Sequence, residues 1–190
     1  ARIVGANGTL NIGAAAGNAA VAAGTLTTPT ITFGAGTGTL VFNHTNTDLA
    51  LAAAISGLGT ILHLAGTTNL TGDSSAFTGE TVISDGNLVV TGSLGGDIFV
   101  NRGTLGGTGT LTGAVSVGPG GTLAAGVSPG TLTVGSLTLG MESTTIFELG
   151  QAGVVGGANN DLIRVTGALT LDGGSIEIIQ NTGFSSGRYT

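Results

Sequence analysis

The chain has no cysteine, no tryptophan and no lysine, and charged residues fill only 7% of its 190 positions. An ordinary soluble domain carries roughly 25% charged residues. Each absence excludes a chemistry. Without Cys there is no disulfide framework, thiol nucleophile, iron–sulfur cluster or Cys-based zinc site. Without Lys there is no Walker-type phosphate loop and no Schiff base. The basic residues are Arg2, Arg102, Arg164 and Arg188, scattered through a chain of net charge -6. Nucleic acid and anionic membranes require a concentrated basic surface, which four isolated arginines do not make. The longest apolar stretches, around Leu49–Ile55 and Ala14–Ala23, fall short of the roughly 20 apolar residues of a spanning helix. The opening ARIVGANGTL lacks the n-region, h-region and cleavage site of an export signal. Any such signal is expected to have been removed or never to have existed.

What is present is glycine, at 38 positions, within a chain that is 41% hydrophobic with mean hydropathy +0.49. That apolar content argues against disorder, and the length allows one domain, 1–190. The triplet Gly-Thr-Leu recurs at Gly8, Gly24, Gly38, Gly103, Gly109, Gly121 and Gly130, with variants such as GNL at Gly86 and GSL at Gly92. Between the glycines, TITF, TLVF, TILHL, NLVVT, DIFVN, TIFEL and SIEII place apolar residues two apart, which is the strand period. Gly, Asn and Asp at the strand ends suit turns. Helix is disfavoured by glycine in nearly every ten-residue window; Ala14–Ala23 is the one helical candidate. Tandem short strands with glycine corners predict an all-β parallel β-helix. At about 20 residues per coil it would have roughly nine rungs and a length on the order of 40 Å. Open ends predict a fragment of a longer rod.

The stretch GLGTILHLAGTTNLTGDSSAFTGETVISDGNLVVTGSL (Gly57–Leu94) closely resembles the β-strand repeat of bacterial autotransporter passengers. The section GGTGTLTGAVSVGPGGTLAAGVSPGTLTVGSLTLGMESTTIFEL (Gly106–Leu149) resembles the next section of such passengers, and NDLIRVTGALTLDGGSIEI (Asn160–Ile178) continues the pattern. The best match is 57–149. The resemblance implies a right-handed parallel β-helix, exported by type V secretion through the periplasm and outer membrane of a Gram-negative bacterium. It implies a C-terminal outer-membrane β-barrel as a partner, absent from this chain, and a passenger displayed at the cell surface or secreted. It also implies an autochaperone-like, barrel-proximal region at 106–178. A chain free of Cys cannot lock into disulfide-bonded structure before threading the pore.

Catalytic motifs are few. Gly126-Val127-Ser128-Pro129-Gly130 matches G-x-S-x-G, but Pro129 has no N–H to offer an oxyanion and no helical pattern comes after it. It is read as a turn between rungs. His63 alternates with Leu62 and Leu64, which predicts an outward-facing or hydrogen-bonded side chain; His44, between Asn43 and Asn46, reads as a turn residue. The acids stand singly, mostly beside Gly, Ser or Asn, although stacked coils can bring distant carboxylates together. GGTGTLTGA at Gly106 has Leu111 where a calcium-binding repeat has Asp. The N-x-T sequons at Asn7, Asn43 and Asn69 are read as turn asparagines. Thr-x-Thr pairs such as Thr108/Thr110/Thr112 and Thr131/Thr133 are irregularly spaced, so Thr is read as strand filler rather than an ice-binding ladder.

No catalytic, metal-binding or cofactor-binding residues are therefore expected, and no nucleic acid. Specificity is expected in turns that leave the regular coil. The first is Gly150–Asn160, with Gln151, Val154, Val155, Asn159 and Asn160 as contact candidates. The second is Leu70–Thr78, with Asp73 and Phe77. The resulting expectation is a non-catalytic passenger that adheres to a host cell-surface receptor or matrix component. A released ligand for one specific host receptor is the first alternative, and a polysaccharide-active β-helix enzyme the second.

Overall fold

A computed structural model describes residues 2–3 (backbone only), 8–35, 37–126 and 129–189. Among these residues there is no helix, and Ala14–Ala23 forms turns rather than the helix its alanines would permit. Every strand pair is parallel. The fold is the expected parallel β-solenoid, with three faces.

The first face pairs Thr30–Phe33 with Ala54–Ser56 and, further along, Asp73–Ser74 with Ser93–Leu94. The second face is the most regular. Its path runs through Thr9–Gly13, Gly38–Asn43, Gly59–Ala65, Glu80–Ile83 and Asp97–Val100, then through Thr110–Val117 and Thr131–Leu139 to Leu169–Leu171. Among the described residues eight successive strands, against the roughly nine rungs expected, give a stack about 34 Å long at the usual strand spacing. Thr110–Val117 and Thr131–Leu139 each turn a corner: their first halves continue the first face from Ser93–Leu94, and their second halves the second face from Asp97–Val100. Leu162–Val165 pairs with the first half of Thr131–Leu139 and so extends the first face. The third face stacks Leu49–Leu51, Thr67–Leu70, Asn87–Val90, Gly103–Gly107, Gly121–Ala125, Thr144–Leu149 and Ser175–Gln180.

The period-two alternation explains the core. On the second face Leu40, Ile61, Thr81, Ile98, Val115 and Leu137 form one inward column, each paired with the next. On the third face Thr68, Leu88, Leu105 and Leu123 form another. The aliphatic members of both columns are almost fully buried. Coil length is not constant. The coil from Glu80 to its partner Asp97 is shorter than the one from Thr60 to Glu80, and the coil from Thr144 to Ser175 is far longer than either. Loops absorb the difference while strand register is kept.

The glycines at one corner show why the coil can turn so tightly. Gly66, Gly86 and Gly103 stack on successive rungs with φ of 86°, 74° and 71°. A Cβ on Gly86 would lie 2.5 Å from the carbonyl oxygen of Gly66, and one on Gly103 would lie 2.4 Å from that of Gly86. Neither the dihedral nor the spacing admits a side chain.

Candidate interaction surface

The longer irregular loop, Gly150–Asn160, leaves the third face after Thr144–Leu149 and returns at Leu162–Val165. Asn160 closes its base. The Asn160 Oδ1 accepts from the backbone N–H groups of Gly150 (2.8 Å) and Gln151 (3.0 Å), and its Nδ2 donates to the carbonyls of Gln151 (2.8 Å) and Val154 (2.6 Å). Asp161 continues the pin. One carboxylate oxygen accepts from Gly130 N–H at 2.9 Å and the other from Glu148 N–H at 2.7 Å. Burial pushes the Asp161 carboxyl up from its ordinary range, the two backbone donors offset part of that, and the Glu148 charge adds to it.

Asn160 is therefore interior, and the loop presents Gln151, Val155 and Asn159 outward. The Asn159 Nδ2 donates to Gln151 Oε1 at 3.3 Å across the loop mouth. Val154 is half-buried. It lines an apolar recess of about 350 Å³ with Phe147, Leu149, Leu162, Ile176 and Tyr189.

In Leu70–Thr78 the two candidates also part. Phe77 is a core side chain, almost fully buried and 5.7 Å from the Phe33 ring. The TGDSSAFTG context reads as a surface turn, but the strand Asp73–Ser74 inside it carries the chain inward again. Asp73 is exposed. It accepts from Ser93 Oγ on the next rung and from Ser75 N–H at 3.0 Å. The Ser93 hydroxyl, then Ser75, holds its carboxyl down to about 2.

The other singled-out residues disperse. His44 and His63 are both fully buried, which corrects the turn placement expected of His44 and the outward alternative for His63. His63 instead takes the hydrogen-bonded alternative, bonded to Thr68 and the Asp85 carbonyl. The inward phase of Gly59–Ala65 falls on Ile61 and His63, leaving Leu62 and Leu64 partly outward. Asn43 is buried, and its Nδ2 donates to the carbonyls of Ala15 (3.1 Å) and Asn18 (3.0 Å). Val127, Ser128 and Asn7 lie outside the described residues. Glu80 and Asp97 are register partners, both exposed on an open sheet face. Among the described residues no group of three or more His, Asp or Glu could hold a metal ion.

The Asn160–Asp161 pin was missed from sequence, although the signal was there. An Asn-Asp pair directly before an alternating strand is apt to bond backbone rather than face a partner.

No family model and no solved structure matches the chain. Among curated proteins, it is 53% identical over 53 residues to an adhesin, the BmaC autotransporter of Brucella suis biovar 1 (strain 1330), covering 28% of this chain and 2% of that protein. It is 41% identical over 90 residues to the uncharacterized lipoprotein YdeK of Escherichia coli (strain K12), covering 44% of this chain and 7% of that protein. The chain thus spans a small part of either relative. The partial homology to an autotransporter adhesin and the parallel β-solenoid together fit an autotransporter passenger domain.

Proposed function

We propose that the chain is a surface-associated, exported scaffold whose solenoid displays the Gly150–Asn160 loop toward a host cell-surface receptor or matrix component. The observation that carries this reading is the contrast between a rigidly closed loop base and an outward tip. Asn160 and Asp161 fix the base through buried hydrogen bonds, while Gln151, Val155 and Asn159 point out from the surface. Such a loop can meet a partner without the ordering cost a mobile loop would carry. The relationship to an adhesin and to a lipoprotein supports export and surface association. The relationship to an adhesin and the solenoid fold support a non-catalytic role.

The test is a triple replacement of Gln151, Val155 and Asn159 by serine in the full protein displayed on bacteria. Binding to host cells and to matrix-coated surfaces should fall about ten-fold, equivalent to roughly 1.4 kcal/mol. A control with Thr104 and Thr122 replaced by serine on the third face should bind as the parent does. Equal binding by the loop variant would refute the assignment.

A further inference from the structure

The core of this solenoid is aliphatic nearly throughout, yet two imidazoles are sealed inside it on neighbouring rungs. His44 comes directly after the strand Gly38–Asn43, and His63 lies in Gly59–Ala65. Their ring centroids are 6.2 Å apart, nearly perpendicular, and Phe42 packs on His63 at 5.9 Å. Both reach for one hydroxyl. Thr68 Oγ1 is 2.8 Å from His44 Nε2 and 3.2 Å from His63 Nε2. The remaining nitrogen of His63, Nδ1, lies 2.9 Å from the carbonyl oxygen of Asp85.

These contacts fix the protons. A carbonyl only accepts, so His63 carries its hydrogen on Nδ1 and its Nε2 is an acceptor. Thr68 must then donate to His63. A hydroxyl has one hydrogen, so His44 must donate to Thr68 through its own Nε2. That leaves the lone pair of His44 Nδ1 buried, without a hydrogen-bond partner of good geometry. It faces Gly66, where an added Cβ would lie only 2.3 Å away. With both rings neutral every contact in this network is satisfied except at His44 Nδ1, and the Thr68 bond to His63 requires a neutral His63. A proton on His63 Nε2 would point at the Thr68 hydroxyl hydrogen, and a second charge would sit one rung away.

We propose that the His44–Thr68–His63 cluster is an acid-sensitive latch. At neutral pH it ties the coils spanning 38–70 together, and in mildly acidic surroundings it releases them locally. The titratable groups facing the pair are each other and Asp85; the other walls, Phe42, Thr68 and Ile83, do not titrate. Burial lowers His63 to about 4; the Asp85 carbonyl opposes that, the His44 charge adds to it, and the Asp85 carboxylate opposes it. Burial also lowers His44, with the Asn46 backbone opposing. The sign follows from linkage. In the folded state the proton is refused below the ordinary histidine range, while the opened chain accepts it near pH 6.5. Stability of these coils is full above that value and falls as pH drops from 6.5 toward 4.

Hydrogen exchange of the whole chain, corrected for intrinsic rates, tests the latch. Between pH 7 and pH 4.5, opening of peptides within 38–70 should rise on the order of 10- to 100-fold, while peptides within 97–125 change far less. His63→Leu, which matches its apolar neighbours Phe42 and Ile83, should cut that rise several-fold, the remainder belonging to His44. No rise in the parent, or an equal rise in the variant, would overturn the proposal. If the variant fails to fold, ring-proton NMR of the parent decides. A His63 midpoint near 4 supports the latch, and a midpoint near 6.5 rules it out.

Discussion

The middle coils, from Gly59 to Ala125, and the last coil, from Leu162 to Gln180, use the same alternating strands and differ in what becomes of their apolar side chains. Ile61, Leu88, Leu105 and Leu123 are sealed. Leu169, Leu171 and Ile176 continue the inward columns from Leu137, Leu139 and Thr145, yet are 53%, 67% and 68% exposed. The local sequences LTL and SIEII are as regular as any in the chain. Burial in this fold is therefore a property of having a rung on both sides rather than of the strand itself. Each coil supplies half of two interfaces and has no core of its own.

The sharpest way to break that contrast is one truncation in each region. Leu105 lies between Leu88 and Leu123 with no exposure, so Leu105→Ala opens a cavity and should cost about 2–5 kcal/mol in urea unfolding. Ile176→Ala removes a side chain already mostly in water and should change stability by less than about 0.5 kcal/mol. Equal losses would mean that the last coil is as well packed as the middle ones.

A second contrast lies within the long loop. Asn160 makes four hydrogen bonds to backbone, and its neighbour Asn159 makes one to an exposed side chain. Asn160→Ala leaves buried N–H and carbonyl groups unpaired and should cost about 1–3 kcal/mol, with faster proteolytic cutting inside 150–160. Asn159→Ala should leave thermal unfolding within about 0.5 kcal/mol of the parent. If both unfold alike, the loop base is not what holds the loop.

These differences mark where the sequence could be read and where it could not. Alternation and glycine corners suffice for the solenoid, because period two with glycine breaks has few other compact solutions. They do not yield the rung count, because the short coil ending at Asp97 and the long one ending at Ser175 both keep strand register, and the loops absorb the excess. Phase was the second blind spot. Ile61-Leu62-His63-Leu64 alternates equally well with the leucines inside, and only the pairing of Phe42 and Ile83 with His63 decides that the imidazole faces inward. The third was hydrogen-bond reach. Asn160 and Asp161 bond to Gly150, Glu148 and Gly130, and the last of these belongs to an earlier coil. Phe77 and Asn160 thus read as surface residues on sequence and are interior, while Gln151, Val155, Asn159 and Asp73 are exposed as read.

The smallest effect expected is at Asp73, and it sharpens the comparison because it isolates rung-to-rung bonding without burial. The Ser93 hydroxyl donates to Asp73 from the following rung, and with Ser75 it holds the carboxyl at about 2 instead of 3.8. A lowered carboxyl contributes stability that is fully present above pH 3.8 and is lost as pH falls toward 2. Asp73 is exposed, so solvent and salt screen most of that gain. Ser93→Ala removes the larger cause while leaving Ser75 N–H in place. NMR titration of the Asp73 carboxyl should show its midpoint moving up toward 3.8 in that variant, with unfolding at pH 7 nearly unchanged. The acid limb of the stability curve should flatten only below pH 4, clear of the window assigned to His63. A midpoint that stays near 2 would locate the cause in the Ser75 turn, making the Asp73 contact local rather than a bond between coils.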